Sequence, residues 1–502
     1  MSDTLGSGGL HASDFSRIAA NGFGDPQNSY AHSMAEFGGD IYVGTSRHIL
    51  ALLKLFPPVD AASMDPWPVK VPHSVDQLDL RAQIWRWRPS ARRWEAAHSS
   101  PEMDGRNGRP VPRDLGYRGM AVFRGRSDLA PALYVSCLSS VSRGTGARIL
   151  RSPDGITFDP VGEPGLGNAN VSTFRSLVAF DDHLFVAPAG EGTTWNVTRA
   201  PTILRSADPA GGEWTEANVA GFGDPTNGGI FELDVFDGHL YAGTFNHVLG
   251  HQIWKTPATG AEPCRWTKVL ERGAYRGSLN EMAMSMCAFD GALYVGSGLQ
   301  NGGYDRTYRI GPAAGELIRI HPDDTWDLVV GTARDTPHGS KVPISGLGPG
   351  FDNFFNGYIW RMVVHDGWLY VGTFDWSVFL PFAQRRRMLP WLQKHVDDHG
   401  ADAIVSQQGG FDLWRSRDGE VWSPVTLNGL GNPYNYGVRT LLSSRHGLFV
   451  GTANPFAPEV PARLARGWTY VENPDGGAEV WLARAGETAV ARGNQEEACA
   501  SC

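Results

Sequence analysis

Residues 289–297 of the chain read Phe-Asp-Gly-Ala-Leu-Tyr-Val-Gly-Ser, and residues 236–244 and 365–373 repeat the pattern as Phe-Asp-Gly-His-Leu-Tyr-Ala-Gly-Thr and His-Asp-Gly-Trp-Leu-Tyr-Val-Gly-Thr. An Asp-Gly pair between two apolar runs predicts two antiparallel strands joined by a two-residue turn. Looser copies of this hairpin occupy residues 37–45, 132–137, 180–188 and 444–452. The chain therefore carries one hairpin seven times, and this repeat decides the fold.

Each hairpin is followed by two more predicted strands. The third strand alternates apolar and polar residues and begins at residue 83, 148, 202, 252, 316, 412 or 479. A turn then leads to an aromatic residue that opens a fourth strand, at Trp94, Phe158, Trp214, Trp266, Trp326 and Trp422. Four antiparallel strands in about 50 residues, repeated radially, are typical of a β-propeller blade. The predicted fold is all-β, a single seven-bladed β-propeller domain over residues 1–502.

The fourth strand of the last blade is predicted at the amino terminus, at about residues 15–21. Residues 22–28, Gly-Phe-Gly-Asp-Pro-Gln-Asn, match residues 221–227 and 429–435, which follow fourth strands in other blades. Because the first strand of the chain would complete the last blade, the ring would close without exposed strand edges.

Two turns between third and fourth strands, Ser-Pro-Asp154-Gly-Ile-Thr-Phe158 and Ser-Arg-Asp418-Gly-Glu-Val-Trp422, resemble the Asp-box of sialidase-like propellers. They are shorter by one residue between the Asp and the aromatic side chain. The resemblance covers these turns alone, where the box has a structural role. It implies a propeller fold and does not carry sialidase activity to this chain.

Composition and charge exclude several classes of partner. The 62 Gly, 33 Pro, 17 Trp and 23 Phe indicate many turns and an aromatic core, and the net charge of −9 without a basic run argues against nucleic acid. No apolar run reaches the length of a membrane span and residues 1–10 lack a signal sequence, so we expect no transmembrane segment and a cytoplasmic protein.

Five scattered cysteines predict reduced thiols. Cys499 and Cys502 lie in a predicted flexible tail, about 487–502, as a pendant pair or a redox or metal-transfer pair.

Long insertions are predicted on one face of the propeller, the upper face, at about 46–82, 374–410 and 453–477. Segments 48–56, 376–382 and 385–395 within them are rich in apolar residues and read as short amphipathic helices or lids. Three roles of these segments remain open. They could pack onto the propeller as a satellite core, or cover a central funnel, or contact a membrane surface through the basic and aromatic 385–395 segment.

The first strand of every blade lines the channel of a propeller, and one register of these strands carries the main functional prediction. Five residues before the aligned start of each hairpin stand His32, Arg118, Arg175, Phe231, Met284, Trp360 and Arg439. The position one residue later in each strand adds Glu232 and Arg361. Tyr30 and Tyr436 stand shortly before His32 and Arg439 in their strands. Because these positions follow the upper loops, we expect them to converge at the upper mouth of the channel. Three arginines in one register predict an anion-binding funnel. Salt bridges between blades, to Glu232, Glu281 or Asp375, are the structural alternative.

Two functions of different class remain open. The first is a hydrolase, lyase or transferase that acts on a small amphiphilic or aromatic molecule with an anionic or anion-leaving group. The second is a non-catalytic propeller that presents its upper loops to a ligand or protein. For the enzyme, the predicted catalytic residues are His32, Glu232, Tyr30 and Tyr436, and the predicted substrate-binding residues are Arg118, Arg175, Arg361, Arg439, Trp360, His247 and Asp375. We expect no cofactor, with a metal held by His32 and either His48 or His247 as the alternative.

Overall fold

The computed structural model describes residues 8–56, 64–192, 194, 196–465 and 467–484. The predicted tail at about 487–502, with Cys499 and Cys502, lies outside the described residues. So do residues 57–63 of the predicted insertion at 46–82.

The described chain is dominated by strands. The first part contains β1 (Phe15–Ala19), β2 (Asn28–Phe37), β3 (Asp40–Arg47), β4 (Gln83–Arg88), β5 (Arg93–Ser99), β6 (Glu102–Asp104), β7 (Pro110–Pro112), β8 (Gly116–Phe123), β9 (Ala132–Leu138), β10 (Ile149–Ser152), β11 (Asp159–Val161), β12 (Val171–Phe180), β13 (His183–Glu191), β14 (Leu204–Ser206) and β15 (Thr215–Glu216). The second part contains β16 (Gly229–Phe236), β17 (His239–Phe245), β18 (Ile253–Thr256), β19 (Thr267–Leu270), β20 (Met282–Phe289), β21 (Ala292–Gly298), β22 (Leu317–Ile320), β23 (Trp326–Val330), β24 (Arg334–Thr336), β25 (Gly339–Lys341), β26 (Asn356–His365), β27 (Trp368–Asp375), β28 (Leu413–Ser416), β29 (Trp422–Thr426), β30 (Gly437–Ser444), β31 (Gly447–Ala453), β32 (Glu459–Leu464), β33 (Gly467–Glu472) and β34 (Val480–Ala483).

Twenty-eight of these strands belong to one large sheet, which confirms the all-β class. Antiparallel pairing orders them in groups of four, such as β2 to β5, β16 to β19 and β26 to β29. The last group joins both ends of the chain: β30 pairs with β31, β31 with β34, and β34 with β1, where Phe15 lies opposite Ala483. A single bridge between Tyr30 and Ala453 also links β2 to β31. The seven-bladed, closed propeller itself stays a prediction.

The hairpin turns explain why the repeated sequence folds this way. In the three Asp-Gly copies both turn residues have positive φ, for example 46° at Asp290 and 73° at Gly291. This is the geometry of the two-residue turns that suit the twist of paired strands, and Asp-Gly adopts it at little cost. The Asp-box-like turns are held by side chains instead: Asp154 Oδ1 accepts hydrogen bonds from the Ile156 and Thr157 amides, both at 2.8 Å.

The core lies between neighbouring groups of strands. Tyr42 and Ile84 of the group β2 to β5, for example, pack with Leu133, Val135 and Leu150 of the next group, and all five are nearly inaccessible. Each buried side chain of this size contributes about 1.5–3 kcal/mol to stability. The interleaved apolar faces thus fix neighbouring groups against one another.

Helices occur in the loops that follow second strands. They are α1 (Ile49–Leu55), α2 (Gln300–Gly303), α3 (Pro390–His399) and α4 (Ala401–Gln408), with 3-10 turns at Ser377–Phe382 and Arg385–Arg387. The insertion at 453–477 instead forms the β32–β33 hairpin. Among the described helices, none is long and apolar enough to cross a membrane.

Candidate functional site

A bulge in each first strand turns one side chain out of the ladder. In β2 the pairing with β3 skips from Ala31 to Ser33, so His32 is left unpaired. The same irregularity falls at the aligned residue of the other first strands, Arg118, Arg175, Phe231, Met284, Trp360 and Arg439. Bulges re-aim side chains and are common beside active sites.

These seven side chains line one cavity of about 710 Å³. The residues one position later in these first strands, among them Glu232 and Arg361, do not line the cavity. The structure thus brings together His32, Arg118, Arg175, Trp360 and Arg439, together with Tyr30 and Tyr436. It places Glu232, Arg361, His247 and Asp375 elsewhere.

Arg118 and Arg175 are positioned by Asn196, which the sequence did not single out. Asn196 Oδ1 accepts a hydrogen bond of 2.9 Å from Arg118 Nη2 and one of 2.8 Å from Arg175 Nη1. Arg175 also lies over the Phe231 ring, with Cζ 3.6 Å from the ring centroid. Burial, opposed by the Glu232 charge, lowers the pKa of Arg175 to about 9, and burial together with the charges of Arg175 and Arg439 holds the pKa of Arg118 well below its usual range.

Arg439 is a buried cation of the cavity with an unpaired donor. The residue is 3% exposed, and Nη1 has no hydrogen-bond partner among the described residues. The guanidinium lies 5.4 Å from the Trp360 ring, a cation–π contact. Burial, followed by the positive charges of Arg361 and Arg175, holds the pKa of Arg439 well below its usual range. Such a site favours an added anion, since an anion would supply both the charge and the missing acceptors.

His32, Tyr30 and Tyr436 form the polar wall beside Arg439. The Tyr30 and Tyr436 hydroxyls are hydrogen-bonded to each other, and His32 Nδ1 is hydrogen-bonded to Ser46 Oγ. Burial raises the pKa of Tyr30 to about 12 and that of Tyr436 well above its usual range, so both hydroxyls stay protonated. Burial and the charges of Arg439 and Arg118 hold the pKa of His32 well below its usual range, so its imidazole is neutral at pH 7.

Glu232 and Arg361 form an ion pair away from the cavity lining. Arg361 Nη1 donates to Glu232 Oε2 at 2.8 Å, and Ser176 Oγ donates to Glu232 Oε1 at 2.9 Å. Arg361 Nε also donates to the carbonyl of Arg439 at 3.2 Å. The salt bridge expected as the structural alternative therefore exists for Arg361.

His247 and Asp375 also lie outside the lining. The His247 ring stacks on Tyr308, with centroids 3.5 Å apart. Asp375 is buried and accepts hydrogen bonds from Ser377 and Asn353, and burial raises the pKa of Asp375 to about 8. Within the described residues no group of three or more His, Cys, Asp or Glu could hold a metal ion, and neither His48 nor His247 joins His32 at the cavity.

The upper insertions supply most of the apolar wall. Leu50 and Leu53 of α1, Trp376 and Phe379 near the 3-10 turn Ser377–Phe382, and Leu392 of α3 line the cavity. The exposed lining residues belong to two segments, 300–312 and 383–392, which we call the mouth. The mouth adds Arg306, Arg309 and Arg387 to the lining. Arg387 belongs to the basic segment 385–395 of the sequence analysis, whereas the sequence pattern did not identify Arg306 and Arg309.

No protein-family model and no curated protein matches the chain. Among solved structures, puromycin hydrolase aligns with 92% of this chain and 55% of its own at 12% identity and a TM-score of 0.44, so the chain spans about half of that protein. An α-L-arabinanase from Penicillium chrysogenum in complex with arabinobiose aligns with 72% of this chain and 93% of its own at 13% identity and a TM-score of 0.36. An α-L-arabinofuranosidase from Fusarium graminearum aligns with 70% and 89% at 10% identity and a TM-score of 0.34.

Proposed function

We propose that the chain is a seven-bladed β-propeller that binds a small molecule with an anionic group and an apolar or aromatic part in the cavity of the bulged residues. The groups of four antiparallel strands and the β1–β34 pairing support the propeller and its closure. The shared position of the seven bulged residues supports a common site at the upper end of a channel.

The observation that carries the proposal is the charge of the lining. The described residues that line the cavity include six arginines and no Asp or Glu. Arg118, Arg175 and Arg439 lie at the inner end of the cavity, where the one carboxylate whose charge acts on all three, Glu232, is already paired with Arg361. The three cations therefore repel one another, and a bound anion relieves that repulsion. The planar forks of Arg118, Arg175 and Arg439 suit a carboxylate, phosphate or sulfate.

The apolar part of the ligand would lie against the aromatic wall. Trp360 and Phe374 pack edge to face with centroids 5.4 Å apart, and Phe231 stacks on Phe245 at 5.6 Å. Met282 and Met284 complete this wall with flexible thioether side chains that adapt to irregular shapes. An aromatic or amphiphilic body would therefore replace water there at a gain in free energy.

An enzymatic function would divide the chemistry among these groups. The arginines would stabilise a departing or developing anion, and the protonated Tyr30–Tyr436 pair would donate a hydrogen bond to it. His32, in the tautomer whose Nδ1 donates to Ser46 Oγ, would accept a proton from a nucleophile at Nε2. We assign the base to His32 and not to Glu232, because Glu232 is held by Arg361 and does not line the cavity. Hydrolysis, elimination and displacement of an anion all use this set.

A non-catalytic ligand-binding protein is the second candidate. One observation favours it: the pKa of His32 is strongly lowered and those of Tyr30 and Tyr436 are raised, so the site holds a weak base and weak acids. Cytoplasmic localisation stays a prediction for either function.

Thermal melting with small anions tests the binding proposal. Benzoate, phenyl phosphate and phenyl sulfate should raise the melting temperature, whereas neutral phenol should not. A ligand at about 100 times its Kd adds about 2.7 kcal/mol to stability. Arg439→Met should lose this response, and Arg126→Met, an exposed arginine at the far end of the β8–β9 hairpin, should keep it. If no anion stabilises the wild-type protein, or if Arg439→Met responds equally, the proposal is wrong.

Turnover separates the two candidates. Release of 4-nitrophenolate from 4-nitrophenyl phosphate, sulfate or acetate would support the enzyme if Tyr30→Phe and His32→Gln abolish it. Binding of the same compounds without turnover would support the ligand-binding protein.

A further inference from the structure

The mouth of the cavity has a charge opposite to that of the whole protein. Segments 300–312 and 383–392 carry five arginines, whereas the chain has a net charge of −9. Their one carboxylate, Asp305, is buried. The arginines are Arg306, Arg309, Arg385, Arg386 and Arg387, of which the last four are exposed and Arg306 is half-buried. Arg385 forms an ion pair with Asp397, whereas the exposed Arg309 and Arg386 form no ion pair with a carboxylate of the described residues.

Large apolar and aromatic side chains are exposed among these arginines. Trp391 is 49% exposed, Leu389 41%, and Tyr304 and Tyr308 37% each. They are fixed in place and not frayed: the Trp391 ring packs edge to face on Phe354 at 4.7 Å, and Tyr308 stacks on His247. Tyr304 and Leu389 also line the cavity, so the exposed apolar rim is continuous with the apolar interior.

The geometry points to a docking surface for a bilayer that contains anionic lipid. Tryptophan and tyrosine prefer the depth of the lipid headgroups, and exposed arginines are drawn to anionic headgroups. Helix α3 presents Trp391 outward while Leu392 and Val396 are buried, so docking needs no unfolding. The cavity would then open toward the membrane, and a molecule with an anionic head and an apolar body would pass between lipid and protein without crossing water. This inference does not depend on the proposed function, because a docking surface can exist whatever the cavity binds.

Flotation with vesicles tests the inference on the full chain. The wild-type protein should float with vesicles of phosphatidylcholine and phosphatidylglycerol, float much less with phosphatidylcholine alone, and be released by high salt. Arg309→Gln with Arg386→Gln should weaken partitioning about thirtyfold, the equivalent of roughly 1 kcal/mol for each arginine. Leu389→Ser with Trp391→Ser should weaken binding at all salt concentrations, since it removes buried apolar area and no charge.

The matched control is Arg126→Gln with Leu129→Ser, which also removes an exposed arginine and an exposed apolar side chain, here at the far end of the β8–β9 hairpin. Leu129 is 96% exposed. The control should bind vesicles like the wild-type protein, and circular dichroism should show that all variants are folded. The inference is overturned if the wild-type protein does not bind anionic vesicles, if the mouth variants bind them unchanged, or if the control loses binding equally. Tighter binding to an RNA oligonucleotide than to anionic vesicles, reduced by the same mouth variants, would also overturn it.

Discussion

Replacement of Arg439 by Met should stabilise the ligand-free protein. Arg439 is 3% exposed and its Nη1 has no partner among the described residues. The effective cost of burying an ion is several kcal/mol, of which a cation–π contact such as that with Trp360 returns only about 1–2 kcal/mol. Met keeps much of the apolar packing and removes the charge. We therefore expect the free energy of unfolding to rise by roughly 1–3 kcal/mol.

Arg361→Met is the matched control, because Arg361 has a carboxylate partner. Its 2.8 Å ion pair with Glu232 would be lost and the half-buried carboxylate left without its cation. The free energy of unfolding should fall by roughly 1–3 kcal/mol, less than for a fully buried pair because both side chains keep some access to water. Urea unfolding of both variants, in a buffer without phosphate or sulfate, measures the two signs. If Arg439→Met destabilises the protein as much as Arg361→Met does, Arg439 is a structural cation and the reasoning from unpaired charge fails.

Three further predictions concern closure, pH and the tyrosine pair. Deleting residues 1–12 removes the buried Leu10 and should lower the free energy of unfolding by about 2 kcal/mol. Deleting residues 1–24 also removes β1 and should lower the melting temperature far more. Equal melting temperatures of the two truncated proteins would refute closure through β1. Burial raises the pKa of Asp375 to about 8, above its unfolded value, so the folded state binds the extra proton and the free energy of unfolding should fall as pH rises from about 4 to 8. Asp375→Asn should flatten this pH dependence in urea titrations. An unchanged pH dependence would contradict the raised pKa of Asp375. Tyr30→Phe should weaken binding of phenyl phosphate about tenfold by calorimetry through loss of one hydrogen bond, and unchanged affinity would exclude Tyr30 from the site.

The pairing of strands follows from local sequence. Asp-Gly turns fix where each hairpin reverses, so a residue counted back from the turn has a known position along its strand. For this reason the shared register of His32, Arg118 and Arg439 can be predicted from the spacing of the repeat. The match between residues 22–28 and 429–435 likewise indicates the strand that pairs with β34.

Other parts of the site depend on contacts that no local pattern shows. The bulge turns only one of two adjacent residues into the cavity, so Glu232 and Arg361, one position later, pair with each other instead. The long upper loops were expected on the functional face, but their conformation is set by tertiary packing. Asn196 and Arg309 therefore could not be identified from sequence, and His247 stacks on Tyr308 of the mouth without lining the cavity.

The most direct test of an anion site at the bulged residues is an experimental structure of the protein with phenyl phosphate. We expect the phosphate within hydrogen-bond distance of Arg439 Nη1 and of Arg118 or Arg175, with the phenyl ring against Trp360. Phosphate bound only at other surfaces, with Arg439 Nη1 still unpaired in a ligand-saturated crystal, would contradict this expectation.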